Sequence, residues 1–222
     1  MPLRTVFFDL DDTLCDAVSS RQQRAHKALE AFCRHHLDHD LEEMIDMVMQ
    51  PHPTLSRENR GLRSVFAELG LEESEGARAA YYCYGQYLDP LHLFEGVAET
   101  LECLCHRDSL GVITNGNEAT QNGKVGHLGL DRYVRWLVVS EAVGLRKPDR
   151  RIFQHALSKA GVKPHQAVFV GDRLDMDIGG AKAAGMHAVW FNHWGGRLDD
   201  GGPQPDAVIG RFGELPEVLA EL

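Results

Sequence analysis

The chain of 222 residues is 43% hydrophobic and 25% charged, a balance that suits a folded domain with a sizeable core and argues against disorder. Its formal charge, 23 − 33 = −10 with histidine neutral, disfavours a nucleic acid polymer as partner, because phosphate backbones are met by clustered cations; a small anion at one locally positive site stays compatible. No segment approaches the roughly 20 apolar residues of a membrane span, and no membrane partner is expected.

The first predicted element is the apolar run RTVFFD at residues 4–9. It stops at Asp9, too soon for a signal peptide. Five cysteines, Cys15, Cys33, Cys83, Cys103 and Cys105, form no C-x-x-C pair and point to reduced thiols in a cytoplasmic setting. Cys103 and Cys105 read as free buried thiols on a helix. Later strands are predicted at SLGVITN, WLVVS, AVFVGD, HAVWF and, more weakly, DAVIG. Continuous apolarity without alternation marks strands buried on both faces of a parallel sheet. Between them Val97, Leu101 and Leu104, and then Ile152, Ala156, Leu157 and Ala160, recur at helical spacing. Strand and helix alternate, so the expected fold is α/β with a Rossmann-like parallel-sheet core.

One connection breaks the rhythm. About 95 residues separate Thr13 from Leu110, where a crossover needs roughly a dozen. Helical patterns fill the gap: Ala25, Leu29, Phe32 and His36; Leu41, Met44, Ile45 and Val48; Leu62, Val65, Phe66 and Leu69; Ala77, Ala80, Tyr81, Tyr84 and Leu88. Pro51-His52-Pro53 and Gly70 punctuate them. Residues 15–91 are therefore expected to form an inserted helical domain, with residues 1–14 and 92–222 as the α/β core and hinges near 15–20 and 91–94.

Open parallel sheets bind ligands at the carboxyl ends of their strands, so the residues that follow each strand carry the chemistry. Asp9 and Asp11 lie two apart, and in an extended chain such residues share a face. Unit charges about 4 Å apart repel by about 4 kcal/mol at an effective dielectric near 20. A Mg²⁺ ion held by one or two carboxylates relieves that repulsion; a plain capped turn, with the carboxylates fanned into water, is the other reading. Asp172, after AVFVG, reads as a matching metal ligand. Asp177 opens a small-residue helix and joins the same acidic end or caps that helix, and Asp175 reads as an N-cap. Thr114-Asn115-Gly116 ends a strand before a helix, as an anion site or an ordinary turn. In GLRKPDRRIF, Pro148 suits the first helical position and Asp149 the first turn, which puts Lys147 at the positive end of a helix dipole. A cation so placed invites an anionic partner, a solvated lysine being the other reading, while Arg146, Arg150 and Arg151 read as surface charge.

The order of Asp9, Asp11 and Thr13 after one strand, Thr114 after the next, Lys147-Pro148, then Gly171-Asp172 with Asp177, resembles the haloacid dehalogenase superfamily of phosphohydrolases. The insertion after the first motif is similar to that family's α-helical cap. The resemblance implies a Mg²⁺-dependent phosphatase acting on a small phosphorylated metabolite of nucleotide or sugar phosphate type. It implies Asp9 as the nucleophile and Asp11 as general acid and then base. It further implies Thr114, Asn115 and Lys147 around the phosphoryl oxygens. Asp9, Asp11 (through its carbonyl) and Asp172 would hold the metal, and Asp177 would support the metal's waters. Substrate choice would fall to the cap, where Arg21, His26, Tyr81, Tyr84 and Tyr87 are candidates beside plainer packing roles. The alternatives are a 2-haloacid dehalogenase, which resembles this chain in fold but does not keep the second aspartate, and a non-catalytic phospho-aspartate switch.

Overall fold

The computed structural model describes residues 4–33, 41–49, 67, 85, 87–199 and 201–222. The helical patterns expected over 62–69 and 77–84 lie outside these, apart from residue 67, as do His36, Cys83, Tyr81, Tyr84, Gly70 and the breakers at 51–53. In chain order the described elements are β1 (Thr5–Phe8), α1 (Ala17–Cys33), α2 (Leu41–Met49), α3 (Val97–Cys105), β2 (Ser109–Thr114), α4 (Glu118–His127), β3 (Val134–Val139) and α5 (Ser140–Val143). There follow α6 (Arg150–Ala160), β4 (Ala167–Gly171), a π-helical turn (Leu174–Ile178), α7 (Gly179–Ala183), β5 (His187–Phe191), β6 (Ala207–Ile209) and α8 (Leu215–Glu221).

All six strands are parallel, in the order β3-β2-β1-β4-β5-β6. The chain builds outward from β1 to β3, then crosses back to lay β4 beside β1. The order reverses between those two strands, and a crevice opens beyond their carboxyl ends. Phe8 pairs with Val112 of β2 and Val170 of β4, so Asp9 comes level with Ile113 and Gly171, and Thr114 and Asp172 lie one residue further along at the same end of the sheet.

Every residue of β1 is buried, which explains why its sequence is apolar without alternation. Phe7 joins Ile113 and Phe169 in a cluster under Ile152, Phe153 and Ala156 of α6. On the opposite face Phe8 meets Phe212 at 6.0 Å between ring centroids, and Phe191 meets Phe212 at 5.5 Å. Each such buried ring contributes about 1.5–3 kcal/mol. The small residues of α7 allow the close packing their sequence suggests: a Cβ on Gly180 would lie 2.4 Å from the ring of Phe153.

The chain divides into two compact units, Met1–Asp16 with His92–Leu222, and Ala17–Leu91. In the second, α1 packs on α2. The crossings between units are tied together within the first: the Asp16 N–H donates to the His92 carbonyl at 3.1 Å, that of Phe94 to the Leu14 carbonyl at 3.1 Å, and Cys15 bridges Leu93.

Three local expectations are corrected. Helix α6 begins at Arg150, and its N-cap is Asp149, whose carboxylate accepts the Arg151 N–H at 2.9 Å. Pro148 thus precedes the cap, because an Asp that can bond an open N–H competes for the helix start. Asp175 is not the N-cap, a position that falls to Arg173; it lies inside the π-helical turn and pairs with Arg173 at 2.7 Å. Cys103 is exposed and Cys105 half-buried, because α3 buries the face of Val97, Leu101 and Leu104, and neither thiol falls on it. Among the described residues no helix is long and apolar enough to cross a membrane.

Candidate active site

Strand β1 delivers Asp9 to the crevice, where it is almost fully buried. Its backbone N–H still continues the sheet, donating to the Val170 carbonyl at 2.9 Å. Beyond it the chain reverses at Asp12, whose φ of 62° is in the left-handed region that aspartate tolerates better than most residues. The reversal brings the fully buried Thr13 back, and its hydroxyl donates to Asp172 Oδ1 at 3.2 Å. Asp172 follows β4 directly, and its carbonyl is held by the Trp190 indole N–H at 2.8 Å.

The π-helical turn decides where Asp177 goes. Its wider coil returns the Gly179 N–H to the Leu174 carbonyl and turns the Asp177 side chain back over Gly171. A Cβ on that glycine would lie 2.5 Å from Asp177, so only glycine leaves the room. Asp9, Asp172 and Asp177 then offer carboxylate oxygens within 4.8 Å of one another.

Lys147, 2% exposed, enters from the loop before α6 and bridges two of these acids, with Nζ 2.7 Å from Asp9 and 2.6 Å from Asp177. The second oxygen of Asp177 accepts the Arg173 N–H at 3.1 Å. Asn115 fixes the lysine's backbone from both sides, accepting its N–H at 2.9 Å and donating to its carbonyl at 3.1 Å.

Three carboxylates face one ammonium here, and the electrostatics register the surplus. Burial pushes Asp9 up to about 7, helped by Asp177 and Asp11 and opposed by Lys147. Burial likewise pushes Asp172 up to about 9, with Asp177, Asp9 and Asp12 adding to it. For Lys147 burial acts in the opposite direction, yet Asp177 and Asp9 outweigh it and hold the ammonium above its usual range. A buried, all-oxygen donor set with excess negative charge fits a small hard divalent cation such as Mg²⁺.

Asp11 does not bring its carboxylate to that cluster. Lys124 Nζ lies 2.7 and 2.8 Å from its two oxygens, and Gln121 Nε2 is 3.2 Å from one of them. Thr114 is buried at the end of β2, and its hydroxyl accepts from Gln121 Nε2 at 2.6 Å. Arg146, Arg150 and Arg151 are exposed, as surface charge would be.

Asp9, Asp172, Asp177 and Lys147 therefore meet at one point, with Thr114 and Asn115 at the end of the neighbouring strand. Sequence reasoning missed Gln121 and Lys124. The signal available was their spacing: two polar side chains three apart on a helix share a face, and this helix directly follows the Thr114-Asn115-Gly116 strand end.

Residues 3–185 match the haloacid dehalogenase-like hydrolase family, and the chain belongs to it. A glyceraldehyde 3-phosphate phosphatase of Methanopyrus kandleri is 33% identical over 240 residues, spanning 99% of this chain and 98% of that protein. An N-acylneuraminate-9-phosphatase of Rattus norvegicus is 29% identical over 238 residues, spanning 99% and 95%. The crystal structure of a 2-haloacid dehalogenase from Pseudomonas syringae pv. Tomato superposes with a TM-score of 0.69 at 32% identity, covering 99% of both chains.

Proposed function

We propose that this chain is a Mg²⁺-dependent phosphatase of a small phosphorylated metabolite, working through an aspartyl phosphate on Asp9. The observation that carries the reading is the buried Asp9–Lys147 pair at 2.7 Å beside Asp172 and Asp177. Full-length similarity to two named phosphatases supports it.

Asp9 attacks phosphorus with one carboxylate oxygen while the ester P–O bond breaks, and Asp11 gives its proton to the departing alkoxide. Asp11 then takes a proton from water, whose oxygen attacks the same phosphorus and releases Asp9 and inorganic phosphate. Lys147 holds a phosphoryl oxygen and offsets the charge of the nucleophile. Thr114 and Asn115 complete that cradle from the end of β2. Asp9, the Asp11 carbonyl and Asp172 would hold Mg²⁺, and Asp177, whose oxygens serve Lys147 and the Arg173 N–H, supports them from behind. Bound there, the ion supplies neutralisation of the phosphoryl charge. Residues 15–91 are the cap of this reading, which would set substrate choice and exclude water. Five cysteines without a C-x-x-C pair suit a cytoplasmic setting.

Similarity to the dehalogenase structure raises carbon–halogen cleavage as a second reading. Two observations favour phosphate esters. A halide departs without a proton, whereas Asp11 supplies the acid an alcohol needs. An acid cluster with surplus negative charge suits a metal and a phosphoryl group better than a monoanionic haloacid.

The test is phosphate release, with Mg²⁺, from a panel headed by glyceraldehyde 3-phosphate and N-acylneuraminate 9-phosphate. Repeated turnover is expected and would also set aside a phospho-switch, which stops at one phosphoryl per chain. Asp9→Asn should lose turnover by at least about 1,000-fold, the order set by a lost nucleophile, while keeping the fold. Substantial activity in that purified variant would refute the nucleophile assignment.

A further inference from the structure

Asp11 must present a proton to the leaving oxygen, and a carboxylate on a loop does that only if its rotamer is held. Helix α4 supplies the hold. Lys124 Nζ contacts both oxygens of Asp11, at 2.7 and 2.8 Å, in a mostly buried pair, with 14% and 26% of the two side chains exposed. Gln121, 1% exposed, divides its amide between Asp11 Oδ2 at 3.2 Å and Thr114 Oγ1 at 2.6 Å. The amide has two N–H donors, so one side chain links the proposed acid to the proposed phosphate-binding hydroxyl.

The helix that carries both is itself pinned. Asn117 caps it by accepting the Thr120 N–H at 3.1 Å. Glu141 holds the Asn117 amide at 2.8 Å and the Glu118 N–H at 2.8 Å, and Ser140 accepts the Gly116 N–H at 3.0 Å. A solvated ion pair needs no such platform, and exposed pairs contribute little to stability.

We infer that Lys124 and Gln121 are positioning residues for Asp11, fixing its carboxyl group for proton transfer and coupling its placement to that of Thr114; this rests on the phosphatase reading above. Proton donation matters when the leaving group is a poor one, as an alkoxide is, and little when it is p-nitrophenolate. The effect of losing Lys124 should therefore depend on the ester.

The experiment compares kcat/KM of the unmodified chain and Lys124→Met, with Mg²⁺, for glycerol 3-phosphate and p-nitrophenyl phosphate. This parameter reports events up to departure of the leaving group, so hydrolysis of the phosphoenzyme does not blur the comparison. The expected loss is about 100-fold for the alkyl ester and under about 5-fold for the aryl ester, following the size of general acid contributions. Equal losses on the two esters, or none, overturn the inference, because a purely structural role would slow both alike. Thermal unfolding checks that the variant is folded, and Lys124→Gln serves the same comparison if the methionine variant is not. Absence of phosphate release by the unmodified chain removes the phosphatase reading and this inference with it; release with matched losses removes the inference alone.

Discussion

At Gly171 the missing side chain is the space Asp177 occupies. Replacing it by alanine would set a Cβ 2.5 Å from Asp177, and either the acid or the strand end must move. Gly171→Ala should cost about 1–3 kcal/mol, the usual effect of overpacking, and should weaken Mg²⁺ binding as Asp177 is displaced. Chemical denaturation and a metal titration measure the two effects, and a variant unchanged in both would show that the contact is slack. The residues legible beforehand share a property: Asp9 and Asp172 immediately follow buried strands, and Lys147 precedes a helix start, so each could be placed without knowing its partner. Lys124 and Gln121 could not, since they find Asp11 across 113 and 110 residues. Nothing near them in the chain announces that partner.

Among the elements, β6 is the slightest, three residues at the edge of the sheet. The residue just before it, Asp206, anchors it by accepting the Ala188 N–H at 2.8 Å and pairing with Lys182 at 2.6 Å. Burial raises its carboxyl group, but Lys182 and the Ala188 N–H outweigh that and hold it below the usual range, with His187 assisting. Its ionised form is thus favoured by folding, a gain present above about pH 4 and lost as the pH falls through the lower native value. Asp206→Ala should cost about 1 kcal/mol near neutrality, since the pair with half-exposed Lys182 is screened. The gap from the unmodified chain should close below pH 4, and denaturation at the two pH values measures it; a gap that persists in acid would mean that packing is the cause. The strands β1, β2 and β4 were visible as apolar runs because they are buried throughout, while β3 and β6, partly exposed, were found from their apolar cores VV and AVI. The π-helical turn was not, since LDMDI carries no mark separating a wide coil from an ordinary helical start. The start of α6 was misplaced by two residues, because Pro148 suits the first helical position while Asp149, just after it, suits the cap.

For the whole molecule the net charge is −10, and at the site three acids, Asp9, Asp172 and Asp177, meet one buried ammonium, that of Lys147. A bound divalent ion should therefore stabilise the fold as well as serve the reaction. At ~100-fold excess over Kd the gain is about 2.7 kcal/mol, several degrees in Tm for a chain of this size. EDTA should remove that increment and silence turnover, Mg²⁺ should restore both, and Asp172→Asn should show a reduced thermal shift; activity indifferent to the chelator would rule the metal out. The neck of the insertion, where the Asp16 N–H meets the His92 carbonyl at 3.1 Å beside the Phe94–Leu14 bond and the Cys15–Leu93 bridge, carries a different consequence. Since one helix, α3, is enough for a crossover from β1 to β2, cutting out 17–91 at that neck should leave a chain that still folds, and thermal unfolding of the trimmed chain measures this. A short turn spliced at that neck should keep the sheet and its acids in their places, so that the insertion can vary between relatives independently of the core.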